Sequence, residues 1–251
     1  WVGTTHGWIM GAIGSLNDPK GAIMYYTTNG GANWQKRIFS QEAGTFGFEV
    51  QFVDENNGWV LYFNFNNGQA GFEKTTDGGN NWTPTNGAGI FYYVDVNNGW
   101  AYTGSGTNGS MPPFKIYKTT DGGSSWNEQF NDLSDGSYNA IMFSDINNGW
   151  VVGANGKVIR TTNGGMNWSF VTNTGINPNQ SCKTVFFLDA NNGWIPSKTD
   201  YNVPYVCHTT NGGQSWETQQ TPFADPNGHN AIFSINFWDI NNGWLTADFG
   251  R

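Results

Sequence analysis

The sequence predicts an all-β protein built from repeated four-stranded antiparallel units. Three observations carry that reading: two short motifs that alternate from end to end, runs of alternating apolar residues between them, and a composition suited to short strands and tight turns. Of 251 residues 35 are glycine, aromatics make up 16% and charged residues only 12%, the reverse of what long solvated helices require.

The first motif, Asn-Asn-Gly-Trp, ends at Trp59, Trp100, Trp150, Trp194 and Trp244, and each copy follows an acid: Asp54, Asp95, Asp145, Asp189 or Asp239. A degenerate copy, His6-Gly7-Trp8, lies near the start. The second motif, Thr-Thr-(Asn/Asp)-Gly-Gly-x-x-Trp, ends at Trp34, Trp82, Trp126, Trp168 and Trp216 and interleaves with the first. A period of 41 to 51 residues is that of a β-propeller blade.

Each repeat reads in order. Strand A alternates, as in Val50/Phe52, Phe91/Tyr93, Ile141/Phe143, Val185/Phe187 and Ile235/Phe237. In the turn that follows, Asn-Gly or a neighbouring Asn supplies the positive φ of a tight hairpin and the acid fastens it. Strand B leaves from the Trp, as in Trp150-Val151-Val152, and a connection of variable length leads to strand C, such as Lys157-Val158-Ile159-Arg160. The Gly-Gly turn then reverses the chain into strand D, its Asp or Asn accepting from N–H groups two residues on. Blades fall at about 1–38, 39–86, 87–130, 131–172 and 173–220, with a partial one at 221–251. Residues 1–8 align without gaps on 237–244, which places the chain's opening in a strand A and leaves the last blade without C and D. Propellers protect their edges by closing. The expectation is a single propeller domain, five complete blades and a partial one, from a longer and seven-bladed protein.

The box at Asn29, Asp77, Asp121, Asn163 and Asn211, with its Trp column, resembles the Asp-box, or bacterial neuraminidase, repeat. Paired with Asn-Asn-Gly-Trp it is most similar to the photosystem II stability/assembly-factor type of propeller and its secreted bacterial relatives, along the whole chain. The resemblance implies the fold and leaves function open, because sialidases, xyloglucan hydrolases and sorting receptors share the box.

A residue present in every blade reads as architecture. Eleven of the thirteen Trp lie in the two repeated columns and are expected to pack between neighbouring blades. In an A-B-C-D meander both repeated turns fall at one end of the sheet, and the B–C and D–A connections at the other. There the blades differ, at 12–21, 63–71, 104–114 and 196–205, and at 127–137, 171–181 and 218–229. Specificity is normally carried by such loops. Phe65, Phe114, Phe130, Tyr138, Tyr201, Tyr205 and Phe223 are therefore the ligand-binding candidates, with loop anchoring as the alternative.

A formal charge of −8 with only 11 Lys and Arg provides no basic stripe for nucleic acid or anionic lipid. No apolar run is long enough to insert in a membrane. The scattered His6, His208 and His229 make no metal site, the loop at Asp54 lacks calcium-ligand spacing, and no cofactor motif occurs. Cys182 and Cys207, placed a strand length apart, favour free thiols over a disulfide. Sialidases, which the box resembles, grip a carboxylate with three arginines, but Arg37 and Arg160 read as outer-strand residues and Arg251 is terminal. Glu49, on inner strand A where other blades have Ile90, Ala140, Thr184 and Ser234, is the one catalytic candidate for a two-carboxylate glycosidase. The resulting expectation is a secreted or cell-surface, non-catalytic scaffold that binds another protein or a surface glycan, alone or as a module of a larger chain. The alternatives are a glycoside hydrolase and an assembly factor for a photosynthetic membrane complex.

Overall fold

A computed structural model describes residues 1–15, 18–103, 113–132, 138–198, 203–221 and 231–248. These fall into two compact units, one of residues 1–99 and 119–126, the other of 100–118 and 127–251.

The first unit holds an antiparallel sheet of β1 (Gly7–Ser15), β2 (Asp18–Thr27) and β3 (Gln35–Ser40), then a four-stranded sheet of β4 (Thr45–Phe52), β5 (Gly58–Asn64), β6 (Gln69–Thr75) and β7 (Thr83–Pro84), then β8 (Ile90–Tyr93). The second unit carries most of β9 (Gly99–Thr103) and β10 (Phe114–Thr119), followed by β11 (Asn127–Asp132). Two complete four-stranded sheets come next. One is β12 (Tyr138–Phe143), β13 (Gly149–Gly153), β14 (Val158–Thr161) and β15 (Ser169–Phe170); the other is β16 (Phe186–Phe187), β17 (Gly193–Lys198), β18 (Pro204–Thr209) and β19 (Glu217–Gln220). The hairpin β20 (Ala231–Phe237) and β21 (Gly243–Asp248) ends the series. The protein is all-β, made of four-stranded antiparallel propeller blades with strands A to D in the expected order.

Aromatic stacking joins successive blades. The strand-B Trp of one blade lies face to face with the last residue of the next strand A: Trp8 on Phe52 at 3.8 Å and Trp59 on Tyr93 at 3.7 Å in the first unit; Trp100 on Phe143 at 3.5 Å, Trp150 on Phe187 at 3.4 Å and Trp194 on Phe237 at 3.7 Å in the second. The box Trp of the same blade meets that strand-A ring edge-on, as Trp82 does Phe52 and Trp168 does Phe143. Trp1 meets Trp34 in the same way, at 6.1 Å and 78°. That contact, with the paired bonds Val2 N to His6 O and Trp238 N to Asn242 O, supports the alignment of the two chain ends. Val2 and His6 form an isolated antiparallel bridge at the equivalent turn.

The turns explain the rest of the repeat. Asp54 Oδ1 accepts the backbone N–H groups of Asn56 and Asn57 at 2.8 and 2.7 Å, and Asp95, Asp145, Asp189 and Asp239 repeat the arrangement. In the box, Thr119 Oγ1 donates to Asp121 Oδ1 and accepts from Gly123 N, while Asp121 Oδ1 accepts from Ser125 N. The N–H thus comes from four residues on, not two, because the intervening glycines take positive φ, as at Gly122 (70°) and Gly123 (93°). Positive φ was expected at the Gly before each strand-B Trp or at a neighbouring Asn, and neither takes it among the described residues. The smallness of the glycine answers a different need: a Cβ on Gly193 would stand 2.2 Å from the Phe187 ring, so only glycine lets the strand-A aromatic lie over the turn. Gly78 N donates to Asn56 O, and Gly164 N to Asn147 O, which ties both repeated turns together at one end of a blade.

Two connections expected to be long are mostly ladder. β1 continues to Ser15 and β2 begins at Asp18, while residues 65–68 alone separate β5 from β6, since pairing satisfies backbone groups that a loop would leave to water.

Candidate functional site

The repeated polar groups are consumed in architecture. Lys74 and Lys118 sit over the Trp59 and Trp100 rings at 5.1 and 4.9 Å, Arg160 over Trp150 at 5.7 Å, and His208 is stacked on Trp194 at 4.6 Å. Arg160 therefore occupies a blade-building position, and Arg37 lies over Phe39. Arg251 is outside the described residues. Of the strand-B Trp, Trp59, Trp100, Trp150 and Trp194 are buried; the box Trp are less so, and Trp34 is 39% exposed.

At the variable end the aromatic candidates separate by environment. Phe114, Tyr138 and Tyr205, candidates for ligand contact or else loop anchors, are buried at 1%, 0% and 4% exposure. Tyr138 packs on Phe114 at 3.9 Å and donates to Asp132 Oδ2 at 3.0 Å. Tyr205 donates to Gly175 O and accepts from Asn177 N, so its hydroxyl anchors the 174–177 segment. A buried ring with a satisfied hydroxyl holds a loop and is not presented to a ligand. Phe130 is half-buried beside Phe114 and Trp168. Tyr201 and Phe223 lie outside the described residues.

Phe65 is the exception, at 59% exposure. It belongs to a cluster that sequence reasoning missed, with Phe46, Phe48 and Phe63: ring centroids are 5.4 Å apart for Phe46–Phe65, 5.9 Å for Phe48–Phe65, 5.0 Å for Phe63–Phe65 and 6.3 Å for Phe48–Phe63. Phe48 is itself 47% exposed. The signal available was the pair of Phe-x-Phe steps at 46/48 and 63/65. The hairpin carrying Phe65 is braced from below. Its N–H donates to Gly44 O at 2.9 Å, Asn66 Nδ2 donates to Ala43 O at 2.9 Å, and Asn64 Nδ2 donates to Thr45 Oγ1 at 3.0 Å.

Glu49 stands half-buried on β4 beside this cluster. Burial pushes its carboxyl up to about 7, with no charged neighbour contributing. A cleft of about 280 Å³ in the other unit is lined by Ser181, Lys183, Ser197 and Lys198 among others.

Cys182 and Cys207 are fully buried free thiols, pushed up to about 12 and about 11 by burial. They are not a strand length apart as expected: Cys207 is near enough to add to the shift at Cys182. Strand A is only two residues long in that blade, and Cys182 lies in an irregular run whose N–H donates to Gly153 O at 3.0 Å. Among the described residues no group of three or more His, Cys, Asp or Glu is placed to hold a metal, and no helix is long and apolar enough to cross a membrane.

Known proteins match this chain in the repeats. Residues 133–226 match the family described as Photosynthesis system II assembly factor YCF48, and residues 25–36 match the BNR/Asp-box repeat. The chain is thus similar to Asp-box propellers of the photosystem II assembly-factor type. The Photosystem II assembly lipoprotein Ycf48 of Synechococcus sp. (strain CC9902) is 31% identical over 111 residues, 43% of this chain and 32% of that protein. The match thus spans about a third of the relative's length. Among solved structures, YCF48 bound to D1 peptide superposes with a TM-score of 0.51 at 16% identity, covering 99% of this chain and 87% of that one. The GH74 xyloglucanase from Xanthomonas campestris gives 0.61 at 12% identity, covering 92% and 40%. At such identities these two likenesses speak for the Asp-box fold alone.

Proposed function

We propose that this Asp-box propeller is a non-catalytic, protein-binding factor of the assembly type, which holds an extended segment of a client protein at the variable end of its blades. It would work outside the cytoplasm, at a membrane or cell surface, in keeping with its lipoprotein relative. The observation that carries the reading is the braced, exposed phenylalanine cluster at Phe65, since exposed aromatic surface on a rigid support is what protein recognition uses.

The glycosidase alternative needs a second carboxylate within about 5 to 10 Å of the first. Glu49 owes its raised value to burial, and no neighbouring acid adds to it, so the position favours a binding role. Peptide is preferred to glycan as the ligand because the YCF48 structure holds a D1 peptide.

Titration of the whole chain with overlapping D1-derived peptides, beside a polysaccharide hydrolysis panel, tests the reading. Saturable peptide binding without turnover is expected. Polysaccharide turnover abolished by Glu49→Gln, with no peptide bound, would overturn it.

A further inference from the structure

The register of the second blade places a charge among the phenylalanines. In the β4–β5 ladder Phe46 pairs with Phe63, Gly47 with Tyr62 and Glu49 with Leu61, leaving Phe48 as the extra residue of a bulge. Residues paired across an antiparallel ladder point to the same side, so Phe46, Phe63, Glu49 and Leu61 share one face. The bulge re-aims Phe48, whose ring accordingly meets Phe63 and Phe65.

Next along the same face is Gln51, whose amide is fully used: it donates to Tyr93 O and accepts from Tyr93 N, at 2.8 and 2.7 Å. Glu49 has no such use. Among the described residues its carboxylate makes no hydrogen bond or ion pair. Blade architecture does not ask for an acid there either, since the equivalent residues are Ile90, Ala140, Thr184 and Ser234. Half-burying an ionisable group that no protein group pairs carries a desolvation cost, and a cationic partner from outside offsets it.

From this juxtaposition we infer that Glu49 and the Phe46, Phe48, Phe63 and Phe65 rings form a seat for one lysine or arginine side chain, carried on an extended apolar segment of a protein partner. The inference rests on the protein-binding reading above and adds the chemistry of what is held. An apolar patch by itself accepts any apolar group; the unpaired carboxylate selects a cation. Ring faces within about 6 Å attract ammonium and guanidinium groups. The chain's net charge of −8 favours the approach of cationic segments. Because the Phe65 hairpin is held by its own hydrogen bonds, little ordering is left for the moment of binding.

The test titrates the whole chain, by fluorescence anisotropy, with short synthetic Leu/Ser peptides that differ only in a central Lys, Arg, Gln or Glu. The Lys and Arg peptides are expected to bind about tenfold tighter than the Gln peptide. Glu49→Gln should erase that preference and leave the Gln peptide unchanged. Phe65→Ser, at an exposed ring whose loss thermal melting will show to be tolerated, should weaken all of them by about fivefold. Phe170→Ser, at an exposed ring on β15, should change nothing. Equal binding of Lys and Gln peptides, or a Lys preference that survives Glu49→Gln, overturns the seat. So does xyloglucan oligosaccharide binding that Phe65→Ser abolishes when no peptide binds. A D1 peptide that binds regardless of both variants removes this seat and leaves the protein-binding reading standing; a chain that binds no peptide at all removes both.

Discussion

Glu49 shows how a single residue departs from the rule of its repeat. Its carboxyl is raised from 4.5 to about 7 by burial, which makes it a cost to folding under conditions where it is ionised. Below pH 4.5 folded and unfolded chains both carry the proton and nothing is lost. Between 4.5 and 7 the unfolded chain ionises first and the penalty grows; above that window it is complete. Glu49→Gln should therefore match the parent in urea denaturation at pH 4 and exceed it at pH 8 by about 1 kcal/mol, a figure reduced for screening at a half-exposed site. A stability gain that does not change between these two pH values would show that burial of charge is not its source. This residue was legible in the sequence because its equivalents are all uncharged. The fates of Tyr138 and Tyr205 were not, since whether a loop ring turns inward depends on hydroxyl partners such as Asp132 and Gly175, which only the folded chain brings near, and Phe114 follows Tyr138 inward by packing on it.

The Asp box and its Thr make a self-contained element. Thr119 is fully buried and its hydroxyl both donates to Asp121 and receives the Gly123 N–H at 2.9 Å. Thr119→Val keeps the shape and leaves that amide without an acceptor, which costs about 1–3 kcal/mol. Thr120→Val, at the exposed neighbour, should be close to neutral, and chemical denaturation of the pair measures the difference. The repeat period, strand order and shared end of the two turns could be read from motif spacing alone. The reason for Gly193 and its counterparts could not: glycine in a turn points first to positive φ, whereas here it answers the close approach of an aromatic ring from six residues before. The Phe46/Phe48/Phe63/Phe65 cluster was half-visible for a similar reason. Strand phenylalanines read as core until the bulge at Phe48 shows that they reach the surface.

Across the whole molecule, acid should be the condition that takes the repeats apart together. Asp121 is held down to about 2, first by the Ser125 hydroxyl, then by the Ser125 N–H and the Thr119 hydroxyl. Asp77 is lowered mainly by Asn81. At Asp54, Asp95, Asp145 and Asp189 burial opposes ionisation, but the Asn amides and backbone N–H groups outweigh it; at Asp239 the Asn242 amide leads. Carboxyls depressed in the folded state stabilise it above their unfolded value of about 3.9 and lose that contribution as pH falls through the folded value. Tryptophan fluorescence should accordingly report a cooperative loss of structure between about pH 4 and 2. Asp77→Asn with Asp121→Asn, which copies the boxes at Asn29, Asn163 and Asn211, should move the transition to lower pH; an unchanged midpoint would exclude these carboxyls as its cause.

The stacking of each strand-B Trp on the following strand-A aromatic also bears on descent. The contact has a direction: at each of the five junctions one repeat offers an indole forward and the next an aromatic ring backward. A duplicated gene segment one period long would therefore arrive with both halves of its junctions and its own turns already in place. Copy number can change by a single recombination event without compensating mutations, and selection is left free to diversify the loops at the other end.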